Sequence, residues 1–413
     1  MRKYILFIFL ALCFGLLAFN AFTQPEDKAL QHANELLSST LLFDGHNDLM
    51  WTIRENIGVP GDLEKYDLNK RTNTDTDIPR LKQGGLNAQF WSVWIPADSV
   101  YNYSQVQLEQ IDLAHRVFER YPQTFRLALT AADVEQAYKE GLIASLIGVE
   151  GGHAIENSLG LLRAYYDLGA RYMTLTHYKT LDWADAATDT ARHGGLTPFG
   201  KEVVREMNRL GMLVDLSHVS DQTMSDALDV SEAPVIFSHS SARALTNHKR
   251  NVPDSILVRM PQNGGVVMVT FIPLYVSTEV LQWSAADEAF RANNPTAEAL
   301  AAFRKKYPLP KATLSQVADH LDYVRKMAGI DHIGLGSDYY GSGRMPLGLE
   351  DVSKFPDLFA ELIRRGWSDD DLRKLASGNI LRVIRKAEDV ARDLQTRRSA
   401  SGRSIEEMDK NSY

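Results

Sequence analysis

The chain has 413 residues, 44 % of them hydrophobic and 24 % charged, a composition that supports a large buried core and excludes disorder over its whole length. A net charge of −8 with no long Lys/Arg run excludes the basic face that tracks phosphates, so no nucleic-acid partner is expected. Cys13 is the only cysteine and lies in the first apolar segment, so the chain beyond it cannot depend on disulfides.

Met1-Arg2-Lys3 precede an almost wholly apolar run, and residues 1–22 read as a secretory signal peptide or, alternatively, an N-terminal membrane anchor. Export to a periplasmic or extracellular location is the expectation. A lipid on Cys13 is the less favoured form of anchoring, because Leu12 is a poor match to the small residue expected before a lipidated cysteine. From residue 23 to 394, short runs rich in Val, Ile and Leu alternate with amphipathic segments, which is the rhythm of βαβ units and a parallel sheet. Eight strands are expected, over residues 41–46, 86–94, 143–150, 171–177, 212–218, 234–239, 265–271 and 332–338.

Three helices between them carry strong end signals. One starts at Thr197-Pro198, shows Val203, Val204, Met207 and Leu210 on one face, and stops at Gly211. Another starts at Ser220, carries Met224, Ala227 and Leu228, and ends before Pro234. A third starts with a capping box from Ser368 to Asp371 and is expected to end at Gly378. Residues near 95–130, with a helical segment near 106–121, and residues 275–313 are expected as insertions that wall or cover a site. Residues 395–413 read as a polar, frayed tail. The fold class expected is a single α/β domain built as a (β/α)8 barrel.

Several expected strands end in a metal-binding or acid/base side chain. These are His46 and Asp48 after the first, Glu150 after the third, His177 after the fourth, His218 after the fifth, His239 after the sixth and Asp338 after the eighth. In a parallel barrel all of these open onto one face, where the βα loops build active sites. Histidine supplies only 11 of 413 residues, so four at the same relative position in different βα units are poorly explained by chance. In His46-Asn47-Asp48 the outer residues point the same way on extended chain and can hold one metal ion. Five N/O ligands exceed the need of one tetrahedral zinc, whereas a carboxylate shared by two ions about 3.5–4 Å apart would use them all. Zinc suits the His/carboxylate mixture, and Mn, Co or Fe fit the same ligand types. His153 is read as structural, and His32, His115, His193, His248, His320 and His332 as mostly solvent-facing.

Between Phe43 and Val383 the sequence resembles the renal, or membrane, dipeptidase family of metallopeptidases in the amidohydrolase superfamily. The carriers are Asp44-Gly45-His46-Asn47-Asp48, Val149-Glu150-Gly151-Gly152, Leu175-Thr176-His177 with Trp183-Ala184-Asp185, Asp215-Leu216-Ser217-His218-Val219-Ser220, Phe237-Ser238-His239-Ser240, Arg250-Asn251-Val252-Pro253 and Gly336-Ser337-Asp338. The resemblance implies a dinuclear zinc site in which His46 and Asp48 bind one ion, His218 and His239 the other, and Glu150 bridges them. It further implies that His177 contacts substrate and the tetrahedral intermediate, that Arg250 grips the terminal carboxylate of a dipeptide, and that Asp338 transfers protons. Hydrolysis by a metal-bridging hydroxide, tolerance of a D-residue in the second position and a homodimer follow from the same resemblance. Physical chemistry agrees, since a planar guanidinium matches a free carboxylate and an aspartate can accept the water's proton and return it to the leaving amine. The alternative keeps barrel and metals but takes an N-acyl amino acid or a lactone. One position departs from the family pattern, Tyr340, where an acidic residue is usual two places after the catalytic aspartate; it bears on substrate preference.

Overall fold

The computed structural model describes residues 27–55, 62–98 and 102–410. The expectations on residues 1–22 and Cys13 lie outside these. Among the described residues no helix is long and apolar enough to cross a membrane.

The sheet is built from β1 (Phe43–Asn47), β2 (Ala88–Ser92), β3 (Phe125–Leu127), β4 (Ile143–Glu150), β5 (Ala170–Thr174), β6 (Leu213–Asp215), β7 (Ile236–Phe237), β8 (Val266–Val269) and β9 (Ile333–Leu335). Neighbours run β1-β2-β4-β5-β6-β7-β8-β9 and every pairing is parallel. Eight strands thus form a nearly closed barrel of the TIM type. The seam between β1 and β9 is closed chiefly by side chains and loop backbone. The buried Asp44 carboxylate accepts hydrogen bonds from Ser337 N (2.7 Å) and Ser337 Oγ (2.6 Å). Asp338 N donates to His46 O, and Asp48 N to Tyr339 O.

All eight expected strands are present, and β3 is additional. It pairs with Ile143–Ser145 at the start of β4, where β5 has not yet joined the ladder. Its three residues are too short for a periodic signal. Most of the other strands are shorter than expected because the chain leaves the sheet before its functional side chain; β7 spans two residues where six were expected.

Alternation sorts the strand residues between two apolar layers. Ala88, Phe90, Ala144, Leu146, Tyr172, Val266 and Met268 fill the barrel interior, while Trp91, Ile147, Val149, Met173, Val267 and Val269 pack outward under the helices. On β4 the inward series continues through Gly148 to Glu150, which is how a carboxylate reaches the mouth. Gly148 leaves the space that the Tyr172 side chain occupies; a Cβ there would lie 2.1 Å from Tyr172 Cζ. Gly148→Ala is therefore expected to destabilise the fold by about 1–3 kcal/mol, measured by denaturant unfolding.

The helix end signals act locally as expected. Thr197 Oγ1 accepts from Gly200 N at the head of Pro198–Leu210, and Gly211 ends it with φ 86°. Ser220 Oγ accepts from Thr223 N ahead of Asp221–Val230. The third helix does not end at Gly378. Asp369–Arg373 passes through a π-helical stretch, Lys374–Gly378, into Asn379–Arg397, because Gly378 keeps right-handed φ and Asn379 Nδ2 bonds Ile330 O and Ile333 O.

Tertiary contacts overrule other expectations. The polar tail is not frayed through residue 410, since Asp409 is buried and accepts from Phe199 N, and Arg163 donates to Ser401 O. His320, read as solvent-facing, is buried with Nδ1 accepting from Ala242 N. The 275–313 stretch is largely helical, over Thr278–Arg291 and Ala297–Lys306. Tyr275 of that stretch lines the site.

Candidate active site

Six of the eight barrel strands, β1, β4, β5, β6, β7 and β9, end in or lead directly to a titratable group at the mouth. Glu150, the last residue of β4, is almost fully buried, and three histidines surround its Oε1. His218 Nε2 lies at 3.0 Å, His239 Nε2 at 3.3 Å and His177 Nε2 at 3.6 Å. Its Oε2 faces His46 Nε2 at 3.4 Å and accepts from Ser92 Oγ at 3.2 Å. His46 Nε2 is also 3.3 Å from Asp48 Oδ1, as the i, i+2 spacing requires. His218 and His239 aim their Nε2 atoms at one another across 2.9 Å. Asp338 completes a group with His46 and Asp48 whose ligand atoms lie within 4.8 Å of one another. All seven strand-end residues expected from the sequence converge.

Two of the positions are held in strained backbone. His218 (φ 71°) and Asp338 (φ 62°) are left-handed without being glycine, at a cost on the order of 1–2 kcal/mol each. Such strain persists only where the surroundings impose it.

The donor set fits divalent cations. His46 Nε2 and Asp48 Oδ1 are buried and lack a hydrogen-bond partner. Burial holds His218 and His239 well below the usual imidazole range, so both rings are neutral. Asp48, Glu150 and Asp338 face only one guanidinium among the described lining residues, that of Arg250. Burial alone would raise the Glu150 carboxyl, but His46 and His177, with bonds to His218 and His239, outweigh it and hold it well below the carboxylate range. Burial opposes charge on His46 as well; there Tyr172, Glu150 and Asp48 prevail and hold its pKa up. A cation must displace that proton. Metal affinity is therefore expected to fall as pH falls, by about tenfold per pH unit per proton released, measured by chelator competition at two pH values.

His177 has a different character. Trp94 Nε1, which can only donate, lies 3.1 Å from His177 Nδ1. Burial pushes the ring's pKa down to about 4, so the single proton of the neutral ring sits on Nε2 and points into the site. His177 thus turns an N–H toward the cavity. Burial, with Asp48 and Glu150 close by, pushes the Asp338 carboxyl well above its ordinary value despite His46. Arg250, 2 % exposed, reaches Ser240 Oγ and His239 O at 3.4 and 3.3 Å, and its Nε has no protein partner. Its guanidinium carbon lies 5.3 Å from the centre of the Tyr275 ring. These groups line a cavity of about 380 Å³, walled also by Trp51, Trp94, Tyr178 and Tyr340.

Sequence reasoning missed the partners behind these groups. Tyr172 Oη lies 2.8 Å from His46 Nδ1, Trp94 orients His177, and Tyr275 stacks by Arg250. The inward parity of Tyr172 on its strand is the one available signal. Asp185, noted only within a motif, collects N–H bonds from Arg192, His193 and Gly195 and so shapes the loop that brings Tyr178 and Thr188 to the cavity. His153 is structural, its Nε2 on Ile95 O. The Tyr340 hydroxyl takes Thr76 N (2.9 Å) and contacts Thr74 Oγ1 (3.0 Å), so an uncharged latch to residues 74–76 stands where an acid is usual.

The model of one family, Membrane dipeptidase (peptidase family M19), matches residues 30–398. The chain belongs to that family. A dipeptidase of this family is a metallopeptidase, and the chain is accordingly a peptide-bond hydrolase of the metal-dependent class. Among solved structures it is similar to the probable dipeptidase PvdM from Pseudomonas aeruginosa, with 26 % identity, TM-score 0.78, and coverage of 89 % of this chain and 100 % of that one. It also shares its fold with a metallo peptidase from Rhodobacter sphaeroides liganded with a phosphinate mimic of the dipeptide L-Ala-D-Ala. There identity is 24 %, TM-score 0.69, and coverage 84 % and 100 %.

Proposed function

We propose that this membrane-dipeptidase-family enzyme hydrolyses dipeptides bearing a free terminal carboxylate, using two zinc ions held by His46 and Asp48, by His218 and His239, and by Glu150 between them. The observation that carries this reading is one carboxylate, Glu150, ringed by four imidazole nitrogens at 3.0–3.6 Å beside the buried fork of Arg250. Two ions bound there supply a water acidic enough to attack at neutral pH and an electrophilic pull on the peptide carbonyl. The protein's own groups do the rest. Arg250 takes the substrate carboxylate in a charge-assisted fork. The Nε2–H of His177 bonds the carbonyl oxygen as negative charge develops on it. Asp338, whose carboxyl holds a proton more readily than usual, takes one from the attacking water and returns it to the leaving amine.

The deciding experiment is an assay of L,L and L,D dipeptides beside N-acetyl amino acids and lactones, with metal analysis of the purified protein. Cleavage of dipeptides and about two ions per chain are expected; cleavage of only the acetylated compounds or lactones overturns the substrate, and one ion per chain overturns the bridged site. The L,D series is included because the resemblance extends to a D-residue in second position, and because a fold neighbour holds an L-Ala-D-Ala mimic. The apolar segment within residues 1–22 carries the further proposal of export, which sequencing the amino terminus of the native protein tests.

A further inference from the structure

Behind His239 lies a buried carboxylate that the proposed reaction does not touch. Asp215 is fully buried at the end of β6, and among the described residues no Lys, Arg or His pairs with it. Four donors from three strand ends reach it instead. Ser217 N (3.1 Å) and Ser238 N (2.8 Å) bond Oδ1, while Thr174 Oγ1 (2.5 Å) and Ser238 Oγ (2.6 Å) bond Oδ2. Ser238 Oγ also lies 2.8 Å from His239 Nδ1.

Proton bookkeeping fixes the direction of that last bond. A serine hydroxyl has one hydrogen. Three acceptors can take it, the Asp215 carboxylate at 2.6 Å, an unprotonated His239 Nδ1 at 2.8 Å and Ser217 Oγ at 3.5 Å, and the short charge-assisted bond to the carboxylate wins over the two neutral ones. Ser238 Oγ therefore faces His239 with a lone pair, and His239 Nδ1 must carry the proton. A neutral ring protonated on Nδ1 presents a lone pair on Nε2, the atom 2.9 Å from His218 Nε2 and 3.3 Å from Glu150 Oε1. His177, held by the donor Trp94, is set in the opposite tautomer. Two histidines on one carboxylate are thus sorted into ligand and donor by the groups behind them.

We propose that Asp215 and Ser238 are positioning residues of the metal centre, forming a carboxylate–serine–histidine relay that keeps the His239 Nε2 lone pair turned to the ion shared with His218. The relay rests on the two-ion reading above. It makes the two ions unequal in their dependence on the protein, since His46 is backed by the Tyr172 phenol and not by a carboxylate.

The test is a zinc titration of the purified protein against a chromophoric chelator, with the unfolding midpoint recorded for each variant. Ser238→Ala should weaken one of the two ions about 10–100-fold and leave the other unchanged, the usual loss when the partner behind a metal ligand is removed. Ser238→Thr, which restores a hydroxyl, should return that ion to within a few-fold of the wild type. Asp215→Asn, of the same shape, is the second variant and should weaken the same ion. Wild-type affinity for both ions in a folded Ser238→Ala or Asp215→Asn protein overturns the relay, as does equal weakening of both ions together with a lowered unfolding midpoint. A wild type that holds one ion, with the same loss in Ser238→Ala, sinks the two-ion reading and leaves the relay standing.

Discussion

Glu150→Gln is expected to lower kcat by about 10³-fold or more while leaving a folded protein. Glutamine keeps the shape of glutamate, so the packing at the end of β4 is preserved. The charge is not preserved, and the charge is what four imidazole nitrogens and Ser92 Oγ share at distances of 3.0–3.6 Å. One amide oxygen cannot face both His46 on one side and His218 with His239 on the other. Metal analysis of the variant should therefore show loss of bound ions alongside the loss of rate. An active variant with its metal intact would sink the bridging role of Glu150.

Arg250→Met should lower kcat/KM for dipeptides by about 10²-fold, chiefly through KM, because a charge-assisted pair of hydrogen bonds to the substrate carboxylate is lost. The more telling readout is discrimination. Wild-type enzyme should strongly prefer a free dipeptide over its carboxyl-amidated form, and the variant should treat the two nearly alike. Steady-state kinetics on both substrates checks this; an unchanged preference in the variant would move carboxylate recognition elsewhere. Arg250→Lys should recover only part of the loss, since an ammonium lacks the planar fork that lies by Tyr275.

Much of the site was legible because its residues sit at strand ends, and strand ends are readable from local pattern. His46, Asp48, Glu150, His177, His218, His239 and Asp338 follow apolar runs, and a parallel barrel sends all such ends to one face. Helix starts at Thr197 and Ser220 were readable for the same reason, since a cap acts over three residues. What remained hidden is long-range. Tyr172 is 126 positions from the His46 that it touches, and Trp94 is 83 from His177. No periodicity records such a pair. The continuation past Gly378 and the docking of Asp409 on Phe199 failed local rules in the same way, because distant partners made the local stop signals irrelevant.

The amino-acid sequence by itself determined which residue types stand at the mouth of the barrel, because alternation and capping are local and each strand carries its own functional terminus. Only the tertiary structure decided what state those residues are in. Whether a histidine is a lone-pair ligand or a donor depends on a tryptophan or a serine brought to its far nitrogen, and whether a carboxylate is charged depends on how deeply the fold buries it and beside what. Those are properties of proximity in a low-dielectric interior, where one hydrogen-bond partner outweighs the intrinsic preference of the side chain.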